Sequence, residues 1–550
     1  MVLRSTLKRL AAPLFGGLAL AAAAQPADAG GLLLPGSGAV STSRAGAAVA
    51  STEDGEALSI NPAGLAKSKG TTITLSMAII NYAMEFTRRG SYDPIVEEAL
   101  AYEDTPYPTV QNDPSPPLGI GPYQPVPVFA VVSDLGGAIP KLTLALGLYA
   151  PSAYPFRDLC TKLPGGCEKY AFNGDFNTPP PPSRFDVVKQ EAAIVLPSIG
   201  AAYRITPDLD VGGRFSAGWA DIKSTINLWA SPNNYSEYIK NEAQFTADAT
   251  DKLVMGWALG VAFRPTPVLE LAANYSSSVH VNAKGDATSE FGPSASLNGL
   301  PIIILPVADA AARCEAGGTR EAQKVCIEFE LPMTATIGGR YKFLSKEGKL
   351  LGDLELDLGW ENWGSPLATD YRVVVDGDVY GIDANGSENF VFHLKDNPVR
   401  HGFKDTYSAR LGGSYRIPSG EANEIIVRGG VGHDTAAAKD GWLRADIDGA
   451  ARTTLTLGAG YRAKRWEVNV GGGAILEGSP TNAGTCNPTG PSTGQFGCGP
   501  GNTENPVDDR RGPDPITPIL NPDEQAESPV TQGTYKAHYV LFMLGFSTWF

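Results

Sequence analysis

Apolar and polar residues alternate along many short stretches of the chain. In DLELDLGW, residues 353–360, leucines alternate with acidic residues. Successive side chains of a β-strand point to opposite faces, so this period of two predicts a strand with one apolar and one charged face. Strand character of this alternating or apolar kind recurs in fourteen segments, at residues 71–80, 126–133, 141–150, 186–203, 208–223, 245–263, 268–285, 326–343, 350–362, 403–417, 423–434, 451–462, 465–475 and 536–550.

The second face of these segments is frequently Asp, Glu, Arg, Thr or Gly. The core of a soluble β-sandwich would not accept so many charges, because burying an unpaired charge is costly. A water-accessible lumen accepts them, while the apolar faces contact lipid. The pattern therefore predicts an all-β fold, a transmembrane antiparallel β-barrel of about 14 strands. A soluble β-protein is the alternative.

The connections between the predicted strands alternate in length. Those after even-numbered strands are short, and those after odd-numbered strands are mostly long. The longest cover residues 81–125, 151–185, 224–244, 286–325, 363–402 and 476–535. Short turns on one side and long loops on the other are typical of bacterial outer-membrane barrels, whose long loops lie outside the cell.

The last segment, KAHYVLFMLGFSTWF, ends on Phe550 and has one strongly apolar face. We expect this strand to pair with the first strand, because a sheet that crosses lipid must close on itself. A terminal Phe after alternating apolar residues also resembles the signal read by the outer-membrane assembly machinery, which is therefore an expected partner.

The first residues predict export. A basic start is followed by an apolar run from Leu10 to Ala24 and by small residues, so a signal peptide over residues 1–29 with cleavage before Gly30 is expected. An N-terminal membrane anchor is the alternative, although the run is shorter than the roughly 20 residues that a spanning helix needs. The net charge of −15 argues against a nucleic-acid partner.

Six cysteines fall into three close pairs. In an oxidising compartment such pairs predict local disulfides, Cys160–Cys167, Cys314–Cys326 and Cys486–Cys498. Zinc would need tighter cysteine spacing and nearby histidines, and the five histidines are scattered. We therefore predict no metal site and no cofactor. The scattered histidines also have no evident partners with which to activate a nucleophile, so a hydrolytic enzyme is not expected.

Residues 30–70 are rich in small residues and differ from the strands. Within SINPAGLA, Asn61 or Ser59 can cap a short helix whose first turn contains Pro62. The order of SRAGAAVA, an acidic spacer, NPAGLA and fourteen strands resembles the FadL/TodX family of outer-membrane transporters for long-chain fatty acids and aromatic hydrocarbons. Asn61, Pro62 and Ala63 match the family's hatch motif, and the Arg44 segment matches the sequence upstream.

The resemblance implies an N-terminal hatch over residues 30–70 that plugs a barrel formed by residues 71–550. It also implies uptake of a hydrophobic molecule by capture in the external loops, movement of the hatch and lateral release into the membrane. In the family the third strand is distorted where the wall opens. The corresponding strand here contains Gly147 and ends near Pro151, and both residue types weaken strand pairing.

Candidate ligand-binding residues lie in the third and fourth long loops, which form a groove in the family. The candidates are Leu228, Trp229, Leu297, Leu300, Ile302, Ile303, Ile304, Leu305 and Val307. The alternative is that these loops pack on themselves or on one another. If the ligand is a fatty acid, its carboxylate could be bound by Arg214 or Arg340 on the predicted lumen face. Alternatively, these arginines pair with the acidic residues of the lumen, and a hydrocarbon would need neither.

Two rival functions remain open at this point: a general porin, which would need an open lumen, and an adhesion or structural barrel, since several loops are large. The expected partners of a transporter are the apolar ligand, outer-membrane lipid and lipopolysaccharide. The sequence alone does not choose between a fatty acid, an alkane, an aromatic hydrocarbon and another lipid.

Overall fold

The computed structural model describes residues 33–92, 99–113, 115–116, 119–151, 156–159, 176–229, 238–297, 299–394, 396–420, 422–439, 442–447, 449–482 and 532–550. The signal peptide predicted over residues 1–29 lies outside these residues. So do the predicted disulfides Cys160–Cys167 and Cys486–Cys498.

The described residues form strands joined by turns and a few short helices. The first twelve strands are β1 (Thr71–Arg88), β2 (Val110–Gln111), β3 (Gln124–Ser133), β4 (Leu142–Tyr149), β5 (Arg157–Asp158), β6 (Lys189–Thr206), β7 (Leu209–Trp229), β8 (Glu242–Phe263), β9 (Leu269–Ser276), β10 (Val279–Phe291), β11 (Ser296–Leu297) and β12 (Leu300–Pro306). The remaining strands are β13 (Gln323–Leu331), β14 (Thr334–Leu344), β15 (Leu350–Glu361), β16 (Asp370–Ile382), β17 (Glu388–His393), β18 (Asn397–Arg400), β19 (Thr406–Pro418), β20 (Glu424–Asp434), β21 (Arg452–Arg462), β22 (Trp466–Leu476), β23 (Thr481–Asn482) and β24 (Gly533–Trp549). The helices are α1 (Ala39–Thr42), α2 (Ala57–Ile60), α3 (Pro366–Thr369) and four 3-10 helices, Pro62–Lys67, Leu135–Gly137, Ile239–Asn241 and Asp309–Ala311.

Fourteen of the strands form a closed antiparallel barrel. In order around the wall they are β1, β3, β4, β6, β7, β8, β9, β14, β15, β19, β20, β21, β22 and β24. Strand β24 returns to β1 with a continuous register from Thr72↔Trp549 to Arg88↔Gly533. The predicted 14-strand barrel and its closure by the C-terminal strand are confirmed. Closure pairs the edges that an open sheet would present to lipid.

The two faces of the wall differ as the alternation predicts. Leu354, Leu356 and Leu358 of β15 are exposed on the outside, whereas Asp353 and Glu355 of the same strand are buried toward the lumen. The same division recurs in the terminal strand, where Phe542, Leu544 and Phe546 are exposed and their neighbours are buried. The barrel therefore presents an apolar outer surface and a polar interior.

Two predicted strands have different boundaries in the structure. The segment 268–285 divides into β9 and β10, and the segment 326–343 divides into β13 and β14. Strand β9 pairs with β14 in the barrel wall, whereas β10 pairs with β8 and β13 outside it. Pro332 separates β13 from β14, because proline has no N–H to donate to a ladder. Alternation continues across both breaks, so the pattern alone could not reveal them.

The long connections predicted as loops contain a second sheet outside the barrel. Strand β10 pairs with the first half of β8, then β13 pairs with β10 and β16 pairs with β13. Strands β12, β17 and β18 add to β16. We call β10, β12, β13, β16, β17 and β18 the loop sheet. It extends the wall beyond β8 on the long-loop side of the barrel.

Residues 33–70, which we call the plug, lie against the inner surface of the wall. The 3-10 helix Pro62–Lys67 contacts β6, β7 and β8, and α1 contacts β1, β22 and β24. Ala45, Ala50 and Asn61 are fully buried there. None of the helices in the described part of the chain is long and apolar enough to cross a membrane.

A second segment also packs against the inner surface of the wall. The described part of the connection between β20 and β21 includes residues 442–447, which we call the outer cap. Within it Ala445 is fully buried and belongs to the same apolar cluster as Tyr82 of β1 and Tyr535 of β24. The short apolar stretch of this connection has no clear period, so its burial inside the barrel could not be predicted from the sequence.

Candidate functional site

The plug is fixed to the wall by buried ion pairs. The Arg44 guanidinium lies between two carboxylates of β15, with Nη1 2.8 Å from Asp353 Oδ1 and Nη2 2.9 Å from Glu355 Oε2. Its Nε donates to the carbonyl of Ala47, which holds the side chain in place. All the charged groups involved are buried. In such a site each carboxylate needs the cation, because an unpaired buried charge is costly.

Carboxylates of β15 also bind the plug backbone. Asp357 Oδ2 accepts from the N–H groups of Ala48 and Val49 at 2.8 and 3.0 Å, and Glu355 Oε1 accepts from the N–H of Ala50 at 2.6 Å. Successive N–H groups pointing at one anion form a strong and directional contact. The acidic face of β15, identified from the sequence as a lumen face, therefore positions residues 44–50.

Asn61 organises the second half of the plug. Its Oδ1 accepts from the N–H of Ala63 at 3.1 Å and caps the 3-10 helix that begins at Pro62, while its Nδ2 donates to the carbonyl of Val49 at 2.8 Å. Capping at Asn61, one of the two residues that the sequence suggested, is thus observed. One side chain ties the NPA segment to the Arg44 segment.

Glycines in the wall make room for this segment. A Cβ added to Gly212 would lie 2.4 Å from the backbone of Pro62, and one added to Gly260 would lie 1.9 Å from Asn61 Oδ1. Atoms cannot approach so closely, so any side chain at these positions would displace the plug. The inward face of β7 and β8 is therefore shaped to receive residues 61–63.

The lumen arginines are already paired with the protein. Arg214 Nη1 donates to the carbonyls of Leu58 and Ser59 at 3.0 and 3.1 Å. Arg340 Nε donates to Asp353 Oδ2 at 2.6 Å, and its Nη1 lies 3.4 Å from Glu270 Oε2. Both side chains are buried, and neither lines the apolar cavity described below. Pairing of the lumen arginines within the protein was the alternative to their binding the carboxylate of a fatty acid.

A large apolar cavity lies between the loop sheet and the barrel wall. Its volume is about 450 Å³, within the range of small-molecule sites. The lining comes mainly from β6, β7, β8, β13 and β16, with the start of β3 and the end of β4. Large apolar side chains on its wall include Ile194, Ile226, Phe245, Phe291, Ile327, Phe329, Leu331, Tyr371, Val373 and Val375.

The predicted ligand-binding residues divide between this cavity and the packing beside it. Leu228 and Ile304 line the cavity. Leu297 and Ile302 are buried in an adjoining cluster with Val379. Leu300 is exposed, whereas Ile303, Leu305 and Val307 are half-buried. The side chain of Trp229 lies outside the described part of the chain. The third and fourth long loops do meet, although most of the apolar run forms the packing of β12 against β16.

Most of the cavity wall was not identified as such from the sequence. Tyr371, Val373 and Val375 lie in YRVVVDGDVYGI, which has the alternation of a strand but falls in a connection predicted as a loop. Phe329 was assigned to a strand crossing the membrane. The signal that could have found them is the period of two itself, but only long-range pairing shows that these strands leave the barrel.

The described residues leave a stretch of the barrel wall beside the cavity without strand pairing, and we call this stretch the gap. Strand β4 pairs with β3 from Ser133↔Leu144 to Val128↔Tyr149 and with β6 only as far as Tyr149↔Leu196. Beyond Tyr149 the facing edges of β3, at residues 124–127, and of β6, at residues 191–195, have no strand partner among the described residues. Residues 124–127 and 192–195 line the cavity.

The two residues predicted at a lateral opening lie on either side of the last β4 pair. Pro151 follows β4 and lines the cavity at the gap. Gly147 is paired with Ala130 and Ser198, and a Cβ there would lie 2.6 Å from Leu58 of the plug. Gly147 thus allows the close approach of the plug. Of the two residues, only Pro151 lies at the gap.

One end of the cavity is polar. Asp186 and Asp446 both line it and are joined through Arg444, whose Nη2 lies 2.9 Å from Asp186 Oδ1 and whose Nε donates to Asp446 Oδ1 at 3.1 Å. His401 Nε2 is 2.9 Å from Asp446 Oδ2. Burial raises the pKa of Asp186 to about 6, although Arg444 acts in the opposite direction. These residues fasten the outer cap to two neighbouring connections.

A disulfide supports the loop sheet. Cys314 and Cys326 are bonded, with their Cα atoms 5.7 Å apart, which confirms the middle of the three predicted pairs. Cys326 belongs to β13, and its neighbours along the strand include the cavity residue Ile327. The bond therefore anchors the connection from β12 to a strand that forms part of the cavity wall.

Comparison with known proteins gives the same architecture. The profile of the family described as "Outer membrane protein transport protein (OMPP1/FadL/TodX)" matches residues 168–475, more than half of the chain. Among solved structures, a Pseudomonas aeruginosa FadL homologue aligns with a TM-score of 0.62 at 12% identity, over 94% of this chain and 100% of that one. The Pseudomonas putida toluene transporter TodX aligns with a TM-score of 0.58 at 15% identity, over 94% and 99%. The Ralstonia pickettii toluene transporter TbuX aligns with a TM-score of 0.53 at 15% identity, over 94% and 99%. At these identities the structural likeness shows the fold, and no curated protein matches the sequence.

Proposed function

Because the chain belongs to the outer membrane transport family OMPP1/FadL/TodX, we propose that it takes up hydrophobic molecules across the outer membrane. Membership and the closed 14-strand barrel place it in the outer membrane of a Gram-negative cell. Long-chain fatty acids and hydrocarbons are the candidate ligand classes. The FadL homologue and the two toluene transporters are similar in fold, so their names suggest these classes but do not select one.

The observation that carries the proposal is the apolar cavity between the loop sheet and the wall gap. A hydrophobic molecule captured from outside would leave water on entering the cavity, which contributes roughly 0.8 kcal/mol for each buried methylene. About ten methylenes give roughly 8 kcal/mol before the costs of association, which corresponds to micromolar affinity at best. Such binding suits capture followed by release.

The proposed route runs from the loop sheet through the cavity to the gap between β3 and β6. Pro151 follows the last described pair of β4 and lines the cavity, so we place lateral release there. We propose that release is sideways rather than along the barrel axis, because residues 33–70 lie against the inner surface of the wall. A molecule leaving sideways would enter the acyl chains of the membrane directly.

Movement of the plug is a further part of the proposal. Asn61, Pro62 and Ala63 lie against β7 and β8, and loss of their contacts would free the lumen beside the cavity-lining strands. Deleting residues 30–66 is expected to raise conductance in planar bilayers. Conductance equal to that of the wild type would contradict the plug role.

The outer surface and the terminal strand complete the proposal. We propose that the exposed apolar band contacts outer-membrane lipid and lipopolysaccharide, and that the assembly machinery reads the strand ending at Phe550. The family is described as one of transport proteins, so we propose transport and no enzymatic activity. A general porin would need an open bore, whereas residues of the plug and of the outer cap are buried inside this barrel.

Filling the cavity tests the function. Ala247 of β8 lines the cavity, and Ala249, two residues further along the same face, is equally buried but does not. We expect Ala247→Phe to abolish uptake of radiolabelled oleate and toluene by cells that lack other such transporters, and Ala249→Phe to retain it. Heat-modifiable gel migration shows that each variant has folded. Normal uptake by folded Ala247→Phe would refute cavity-mediated transport.

A further inference from the structure

The ionisable groups on the cavity wall are acidic or phenolic. Among the described residues that line it there is no Lys, Arg or His, whereas Asp186, Asp446 and Tyr371 are present. Among the described lining residues, a bound carboxylate would therefore meet two carboxylates and no cation. Removing an anion from water without a cation to replace its hydration is costly, and like charges increase that cost.

The cations bonded to these carboxylates are turned toward the protein. Arg444 donates through Nε to Asp446 and through Nη1 to the carbonyl of Arg400 at 3.1 Å, and its Nη2 is 2.9 Å from Asp186. His401 is fully buried, with one ring nitrogen against Asp446 and the other 3.2 Å from the carbonyl of Val399. Neither side chain lines the cavity, so each acts on a ligand through the carboxylates.

Ser289 offers the complementary polar contact. It belongs to β10, opposite Phe245 of β8, and it lines the cavity. Its Oγ is buried and has no hydrogen-bond partner among the described residues. A hydroxyl can both donate and accept, and leaving one unsatisfied costs free energy. A ligand carrying a hydroxyl would satisfy this group, and the rest of the wall would contact its apolar part.

We propose that the cavity takes an uncharged hydrophobic molecule with a single hydroxyl group, of the class of long-chain alcohols and alkylphenols, and discriminates against carboxylates of the same length. The proposal rests on the proposed function, since it concerns the ligand of the same cavity. It assigns Ser289 as the residue that bonds the ligand hydroxyl. The apolar wall supplies affinity, and the acidic end supplies the discrimination.

Matched probes test the discrimination. Tritiated 1-dodecanol and dodecanoate have equal chain lengths and differ in the polar group. Their dissociation constants would be measured at pH 8 on the full chain in non-ionic detergent by scintillation proximity. The free concentration of each probe is calibrated in detergent without protein, because the two probes partition differently into micelles. We expect dodecanol to bind at least about tenfold more tightly, as a buried anion without a cation is disfavoured.

Variants of Ser289 test the assignment. Ser289→Ala should weaken dodecanol binding about threefold to tenfold, the effect of one hydrogen bond, and leave dodecanoate unchanged. Thr288→Ala, an exposed neighbour on the same strand, is the control and should change neither. Ser289→Lys adds the missing cation and should raise the affinity for dodecanoate.

The outcomes separate the two proposals. Dodecanoate binding as tightly as dodecanol would overturn the ligand class while leaving hydrophobic uptake intact. Unchanged dodecanol affinity in Ser289→Ala would overturn the role of Ser289. Absence of binding of both probes, together with normal uptake by Ala247→Phe, would overturn the cavity as the binding site. Absence of oleate and toluene uptake by the wild type would overturn the proposed function.

Discussion

The plug interface and the outer cavity are two neighbouring interiors of one barrel, and they are stabilised by different interactions. At the plug, Arg44, Asp353, Glu355 and Asp357 form buried ion pairs and charge-assisted hydrogen bonds to the backbone. In the cavity, the wall is almost entirely aliphatic and aromatic, and its polar groups are confined to a few positions. The bonds that hold the plug are directional, whereas the apolar contacts at the cavity wall are not.

The difference in bonding gives the plug and the cavity different responses to change. Directional bonds in a low-dielectric interior specify one arrangement, because a shift leaves a buried charge unpaired. Apolar contacts depend on area and shape, so they accept several ligands of similar size. A wall with few fixed hydrogen bonds can also release what it binds. We therefore expect single substitutions at the plug interface to have large effects on plug packing, and single apolar substitutions at the cavity wall to have small effects on the loop sheet.

Arg44→Ala should produce the largest effect. It leaves Glu355 buried without its cation and Asp353 with Arg340 alone, which costs about 3 to 5 kcal/mol. The plug should detach while the barrel stays closed, so planar-bilayer conductance should rise and heat-modifiable gel migration should persist.

Arg465→Ala is the control for this change, because Arg465 is exposed in the turn between β21 and β22. Its conductance should equal that of the wild type. If Arg44→Ala also conducts like the wild type, buried ion pairs do not hold the plug, and the plug and the cavity do not differ in the way proposed.

Gly212→Ala should have the next largest effect, and it has a matched control one residue away. A Cβ at Gly212 would lie 2.4 Å from the backbone of Pro62, whereas a Cβ at Gly213, on the outer face, would lie 3.5 Å from Leu259. We expect the inward substitution to destabilise the plug by about 1 to 3 kcal/mol through overpacking and the outward one to be tolerated. Hydrogen exchange of residues 57–66 measures both, and equal protection in the two variants would contradict steric fitting of the plug.

Asn61→Ala should weaken the plug by less. It removes the cap on Ala63 and the bond to the Val49 carbonyl, together about 1 to 2 kcal/mol. We expect faster proteolysis within residues 44–66 and a small rise in conductance. Lys69→Ala, at an exposed position just outside the 3-10 helix, serves as the control. Unaltered proteolysis in Asn61→Ala would mean that the two halves of the plug are held independently.

Phe329→Leu should have the smallest effect. It keeps an apolar side chain on the cavity wall and should cost the loop sheet about 1 kcal/mol or less. Hydrogen exchange of β13 and β16 should rise slightly, and bilayer conductance should not change. A conductance increase as large as that of Arg44→Ala would show that the cavity and the plug are coupled, contrary to the small effect expected here.

The period of two in the sequence was enough to predict the barrel and the faces of its strands. It identified the acidic face of β15 as a lumen face and the apolar face of β24 as an outer one. The NPAGLA segment indicated a capped turn at Asn61, which the structure contains. These features are local, because side-chain direction in a strand and capping at a helix start depend on residues within a few positions of one another.

What only the tertiary structure decided is where strands leave the wall and what their faces meet. Strands β10, β13 and β16 have the same alternation as barrel strands, yet they form the loop sheet because their partners are each other and the first half of β8. The cavity exists between elements far apart in the chain, and the partners of Arg44 lie some three hundred positions away. Alternation fixes which side of a strand is apolar, but pairing across long separations fixes whether that side meets lipid, plug or ligand.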